Sequence, residues 1–217
     1  MEEQKSLPVL DAEEIRILGV LMEKSKTTPE YYPMTINAIT VACNQKTSRK
    51  PVVQYDDQTV TLVLDVLKRK GLVSTATGGS SRAIKYKHNF AIVFPVLPAE
   101  VSILCLLMLR GPQTPGELNT NSGRLYEFDS LEEVQGVLER LADPALPYVM
   151  QLPRKAGQKE TRYAHLLSGI PDVSQLEQET APNAKPAGEL EIRLAKVEDE
   201  LAQLRADFDK LMKELVG

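Results

Sequence analysis

The 217 residues are 42% hydrophobic, contain no Trp and carry a formal net charge of −4, so the chain can build one large domain or two small ones around an aliphatic core. Its charge is uneven: residues 1–90 hold 13 Lys+Arg against 10 Asp+Glu, residues 91–170 hold 7 against 9, and residues 171–217 hold 6 against 11, which places any nucleic-acid surface in the first ninety. The polar, acidic start MEEQKSLPVL does not resemble a signal peptide, and no run of about eighteen apolar residues exists; no membrane span is expected and the chain reads as cytoplasmic.

From Asp11 to Met22, Ile15, Leu18 and Leu21, with Ile17, mark one apolar helix face. Asp11 and Glu14 have the spacing of a capping box. The segment Thr27–Pro33 reads as a loop whose tyrosines, Tyr31 and Tyr32, pack on the domain. A second helix is expected over Thr35–Asn44, with Asn44 at its C-cap. The basic stretch NQKTSRK, Asn44 to Lys50, follows, and then a helix over Asp56–Lys70. Gly71 stops that helix, and residues 72–76 and 82–86 read as a hairpin around Gly78–Ser81.

The same plan then recurs. Glu14-Ile15, Ile17-Leu18 and Val20-Leu21 correspond to Glu100-Val101, Ile103-Leu104 and Leu106-Leu107, and the spacing of Val60, Val63, Leu64 and Leu67 repeats at Val134, Val137, Leu138 and Leu141. A short middle helix is expected over Thr114–Leu118. Asp129 with Glu132 suggests a capping box for the third helix. Residues 148–152 and 160–164 read as a second hairpin. Helix, helix, helix, hairpin is the order of a winged helix-turn-helix. The expected fold class is therefore mainly α with small β-hairpins (α+β): two tandem winged helix-turn-helix domains, 1–90 and 91–167, joined through the apolar connection 91–97. Residues 168–188 read as a linker. Residues 189–217 read as an amphipathic helix with a heptad seam of Leu190, Leu194, Val197, Leu201, Leu204, Phe208, Leu211 and Leu215, expected to self-associate as a coiled coil or to dock back on the chain.

Catalytic and metal chemistry find little support. Cys43 and Cys105 stand apart, with no second Cys or His at ligand spacing, and read as buried free thiols. His88 and His165 occupy similar places after the two hairpins, which points to structure. No nucleophile, metalloprotease or phosphate-loop motif is present, so no enzyme, catalytic residue, cofactor or metal is expected. In a double-stranded DNA reading, Lys46, Ser48, Arg49 and Lys50 in the loop and Arg82, Lys85 and Lys87 in the hairpin hold phosphates. Asn44 and the helix residues Gln58, Thr61 and Lys68 complete the interface. Asp56, Asp57 and Asp65 oppose this reading, since they place acid where a recognition helix enters a groove. Glu132, Glu133 and Glu139 make the second unit a protein-contact or structural module.

The chain resembles the bacterial YceH-like proteins. The resemblance rests on Leu10–Glu14, Gly19–Lys24, Thr28–Pro33 and Asn37–Thr40, and above all on Ala42–Val52, ACNQKTSRKPV. It continues through the Arg82-centred hairpin, Arg110–Leu118 and the Arg162-centred hairpin. It implies tandem winged helices, supplies no mechanism, and implies that Asn44, Lys46 and Arg49 act together as a working surface. Two functions stand: a dimeric DNA-binding, transcription-regulatory protein, or a non-enzymatic structural or adaptor protein whose winged helices bind protein partners.

Overall fold

The computed structural model describes residues 7–76, 83–154 and 160–171, together with Gln203 and Arg205. All but those last two lie in one compact unit within Met1–Pro171. The architecture is mixed α and β. Among the described residues there are seven α-helices and two antiparallel two-stranded hairpins.

Helix α1 (Ala12–Thr27) begins at the expected capping box: the Glu14 N–H donates to Asp11 Oδ1 at 2.8 Å and the Asp11 N–H donates to Glu14 Oε2 at 2.9 Å. Helices α2 (Ile36–Cys43) and α3 (Asp57–Arg69) follow, capped by the side chains of Thr35 and Asp56. Strands β1 (Val73–Ala76) and β2 (Lys85–His88) pair with Val73 opposite His88. The single-turn α4 (Phe90–Val93) occupies part of the expected connection. Then come α5 (Pro98–Arg110), α6 (Pro115–Ser122) and α7 (Leu131–Leu141). The chain returns through β3 (Val149–Gln151) and β4 (Tyr163–His165), with Val149 opposite His165. Three helices followed by a hairpin thus occur twice.

Four local expectations need correction. The return strand of the first hairpin starts at Lys85 rather than Arg82, because pairing is fixed where Tyr86 turns into the core. Helix α6 runs on to Ser122, past the expected end at Leu118. The cap of α7 is Ser130, whose hydroxyl accepts from the Glu133 N–H while the Glu133 carboxylate accepts from the Asp129 N–H, one residue along from the Asp129/Glu132 pair. Of the two tyrosines in the first loop, Tyr32 packs inward and accepts from the His88 N–H at 2.7 Å, but Tyr31 is exposed.

The larger correction concerns α1 and α5. Sequence periodicity gives α1 one apolar face, yet every residue from Glu14 to Met22 is buried, as is every residue from Ala99 to Leu109. The two helices cover each other's second face. Gly19 is the point of close approach: a Cβ there would lie 3.0 Å from Leu109 Cδ2 and 3.1 Å from its Cγ. The Cys105 thiol donates to the Gly19 carbonyl at 3.4 Å, and these two residues are the same position of the repeated helix. One hydrophobic core runs through both repeats, including Phe90, Phe94 and Tyr148 beside the aliphatic residues.

Both repeats also use the third residue of their first helix in the same way. The Glu14 carboxylate pairs with Lys70 at the end of α3, with 2.6 Å between Nζ and Oε1. Glu100 accepts from the Leu97 N–H at 2.8 Å and pairs with Arg140 near the end of α7 at 3.1 Å. Each buried acid ties the start of the first helix to the end of the third.

Candidate functional site

The basic stretch from Asn44 to Lys50 turns Asn44, Gln45 and Arg49 inward. Asn44 caps α2, and its side chain fastens the far end of the loop: its Nδ2 donates to the Tyr55 carbonyl and its Oδ1 accepts from the Tyr55 N–H, both at 2.8 Å. Arg49 has a fully covered side chain. Its guanidinium donates to both oxygens of Glu23 at 3.0 and 2.6 Å, to Gln45 Oε1 at 2.9 Å, and to the carbonyls of Ala42 and Ser48 at 3.3 and 2.9 Å. With its donors engaged inside the protein, Arg49 is not placed to hold a phosphate. Burial alone raises the Glu23 pKa, but the hydrogen bonds and charge of Arg49, aided by Lys24, hold it below the ordinary carboxylate value. Arg16, also buried, donates to the Pro51 carbonyl. The Lys50 N–H donates to the Leu109 carbonyl at 2.8 Å and docks the loop on the end of α5.

This anchoring presents Lys46, Thr47, Ser48 and Lys50 on the surface. Ser48 has a φ of 60°, a left-handed conformation uncommon outside glycine, held here by the bonds around Arg49. Its hydroxyl accepts from Arg110 Nη2 at 2.9 Å, which brings the loop against the second repeat. Two clefts open on this boundary. One, of about 360 Å³, is lined in part by Glu23, Lys24, Lys46, Arg110, Asn121 and Arg124. The other, of about 320 Å³, is lined in part by Ser48, Lys50, Arg110, Gln113, Glu117 and Arg162. Lys46, Lys50, Arg110 and Arg124 have no acidic partner among the described residues, whereas Glu23 is neutralised by Arg49 and Lys24. Burial lowers the Arg110 pKa; Glu23 opposes that shift and the charge of Arg49 adds to it. The guanidinium stays charged throughout the working range.

The α3 residues stand elsewhere and in acidic company. Asp56 caps the helix and Asp57 accepts from the Thr40 hydroxyl. Gln58 is exposed, but the Thr61 hydroxyl turns back to the Asp57 carbonyl at 2.6 Å, and Lys68 lies 3.4 Å from Asp65. On β2, Lys87 is exposed and Lys85 half-buried; Arg82 falls outside the described residues. The seam from Leu190 to Leu215 also falls outside them. The exposed positions of α7 include Glu132 and Glu139.

Cys43 and Cys105 are free and buried. Burial pushes the Cys43 thiol up to about 12 and raises Cys105 as well. His88 and His165 end the second strand of each hairpin, and burial pushes both down to about 4. Among the described residues no group of three or more His, Cys, Asp or Glu could hold a metal ion, and no helix is long and apolar enough to cross a membrane.

Residues 10–158 match a family described as "Protein of unknown function, DUF480". The chain belongs to the DUF480 family. It is 46% identical over 200 residues to a UPF0502 protein of Opitutus terrae, covering 92% of this chain and 84% of that one. It is 44% identical over 205 residues to a UPF0502 protein of Solibacter usitatus, covering 94% and 97%. A UPF0502 protein of Shewanella sp. strain ANA-3 is 41% identical over 215 residues, covering 95% and 99%. This DUF480 chain therefore aligns with these relatives along nearly its whole length, through both repeats.

Sequence reasoning missed Arg110, Gln113, Asn121 and Arg124 as members of a site. They belong to a segment whose charge is net acidic, and only the packing of α5 on α1 brings them to the Ser48 loop. One signal was available. Met34 and Gln113 stand immediately before the capping threonines of α2 and α6, and both are buried. Where the other repeat places a core methionine, Gln113 supplies an acceptor for the Asn121 side chain at 2.9 Å.

Proposed function

We propose that this DUF480 protein is a non-enzymatic, nucleic-acid-binding protein built from tandem winged helices of the YceH-like kind, and that it holds the phosphate backbone where its two repeats meet. The observation that carries this reading is the set of Lys46, Lys50, Arg110 and Arg124 around adjoining clefts with no acidic partner among the described residues. The outward face of α3 supports it less, since Asp56, Asp57 and Asp65 repel phosphate there. Binding of this kind is dominated by counterion release and is weakly selective for sequence. The twice-repeated order of three helices and a hairpin supports the winged-helix assignment. The heptad seam of residues 189–217 supports a dimer, checked by sedimentation of the full chain against a Leu194→Glu/Leu201→Glu variant, which should be monomeric.

The deciding experiment is fluorescence anisotropy with mixed-sequence duplex DNA at about 50 and 200 mM salt. A Lys46→Ala/Lys50→Ala/Arg124→Ala variant should bind more weakly and show a salt slope shallower by about 2–3, near 0.9 per lost phosphate contact. No binding at micromolar protein in low salt, or an unchanged variant, refutes the proposal.

A second reading, an adaptor, is favoured by Val41, Val52 and Leu62. These apolar residues are 62%, 56% and 62% exposed on α2, the following loop and α3. With Asp57 and Asp65 on the same helix as Leu62, they suit a partner segment that mixes basic and apolar side chains. Charge-reversing Asp65→Lys should strengthen duplex binding if α3 meets DNA and leave it unchanged if α3 meets protein.

A further inference from the structure

We propose that Val9, Ile92, Leu97 and Ile170 form one apolar patch on which a second copy of this chain docks, two-fold related, so that each patch meets its counterpart. These side chains are 69%, 81%, 58% and 83% exposed. They are distant in sequence, and a closed ring of contacts brings them together around the start of α1. Lys70 Nζ donates to the Val9 carbonyl at 3.4 Å. The neighbouring Gly71 carbonyl accepts from Asn89 Nδ2 at 3.1 Å, and the Asn89 carbonyl accepts from the Ile92 N–H at 2.8 Å. Phe90 then packs on Phe94, with 4.9 Å between ring centroids, and Phe94 on Tyr148 at 5.9 Å. Leu97 joins the ring through Glu100, which accepts from its N–H and pairs with Arg140; the adjacent Leu141 carbonyl accepts from the Tyr148 N–H at 2.7 Å. The Tyr148 carbonyl accepts from the Leu166 N–H at 2.8 Å, and the Leu10 N–H donates to the Leu167 carbonyl at 2.7 Å, which closes the ring at Val9 beside Ile170. Four large apolar side chains exposed in one place amount to something on the order of a few hundred Å², the size at which a patch marks a contact site.

Charge and chain path point to a second copy as the occupant. The charged side chains on the ring are already matched, Lys70 by Glu14 and Arg140 by Glu100. A two-fold contact sets every group near its own kind, so a surface whose charges are internally paired can meet itself without repulsion. An apolar centre with polar groups at its edge is also the make-up of protein interfaces. Ile170 lies one residue before the end of the compact unit, Pro171, so the patch sits at the root of the tail that carries the seam. The twenty residues from Ile170 to Leu190 span at most about 70 Å. Two copies joined at the seam therefore keep their patches within reach, at an effective concentration of roughly millimolar order. This step rests on the dimer reading of residues 189–217. The patch is smaller than the roughly 800 Å² per partner of a stand-alone interface, so it tightens the dimer that the seam assembles and does not replace the seam. It stands at the N-terminal ends of α1 and α5, whereas Lys24 and Arg110 line a basic cleft from their C-terminal ends.

The test is the dimer dissociation constant of the full chain, measured by sedimentation over a dilution series. Ile92→Ser/Ile170→Ser removes apolar surface without adding charge and should raise the constant about tenfold or more. Leu97→Ser alone should raise it about threefold or more. Val41→Ser/Leu62→Ser, at exposed apolar positions of α2 and α3, should leave it at the parental value. Every replaced side chain is more than half exposed, so the variants should fold, which an unchanged melting temperature checks. A parental constant in both patch variants, or an equal loss in the α2/α3 control, overturns the proposal and leaves the seam dimer standing. A parent that stays monomeric at about 100 µM overturns both the patch and the seam dimer.

Discussion

Replacing Arg49 by alanine separates the structural role of the basic loop from a phosphate-binding one. The side chain is fully covered and makes two bonds to Glu23, at 3.0 and 2.6 Å, and three more to Gln45, Ala42 and Ser48. Truncation leaves Glu23, itself 16% exposed, with Lys24 at 3.1 Å as its remaining ion-pair partner. Breaking a buried pair from one side typically costs about 3–5 kcal/mol. For a chain of this size each kcal/mol is worth about 2–4 °C, so the melting temperature should fall by about 6–20 °C. The cost arises from a largely buried carboxylate left with Lys24 alone, so Arg49→Met combined with Glu23→Leu should recover much of it, giving a coupling of about 2 kcal/mol or more in a double-mutant cycle followed by urea unfolding. A loss below about 1 kcal/mol for Arg49→Ala, with DNA or phosphate affinity reduced instead, would refute this reasoning and return Arg49 to the ligand-binding surface.

Gly19→Val should destabilise by about 3 kcal/mol, near the top of the usual overpacking range, because even a Cβ would lie 3.0 Å from Leu109; pairing it with Leu109→Ala should restore part of the loss, measured by denaturant unfolding. His88 and His165 are pushed down to about 4 in the folded protein, against about 6.5 in the unfolded chain. The unfolded chain therefore binds more protons between these values, and stability should decline as pH drops from about 6.5 to about 4; His165→Gln should flatten that decline in melting temperature. Glu23 is displaced below its ordinary value, so its contribution is complete above about 4.3 and disappears as pH falls through the folded value. Arg49→Met/Glu23→Leu should lack that loss at the acid end. Cys43 and Cys105 should resist alkylation at about pH 8 until the protein unfolds, since burial raises both thiols; stoichiometric labelling of folded protein would contradict their burial.

Local rules carried much of the architecture. Asp11 with Glu14, Thr35, Asp56 and Thr114 start helices because a side-chain oxygen meets an orphan N–H within three residues, and such signals need no tertiary partner. The duplication of three helices and a hairpin was legible for the same reason: Val60, Val63, Leu64 and Leu67 mark a buried face by spacing alone, as do Val134, Val137, Leu138 and Leu141. The site was far less legible. Arg49 and Lys50 are adjacent basic residues, but one closes on Glu23, 26 residues earlier, while the other faces solvent. Composition cannot express that difference, because it depends on where Glu23 stands at the end of α1.

The sequence by itself determined the repeat, the element order, the burial of the two thiols and the family, since each follows from short-range spacing or from residue identity along the chain. Only the tertiary structure decided that α1 and α5 cover each other's second face, that Arg49 and Asn44 brace the loop from within, and that Arg110, Asn121 and Gln113 are joined by a chain of hydrogen bonds. Those outcomes depend on close approach at Gly19 and on groups dozens of residues apart. Their energies exist only once the two repeats share a core.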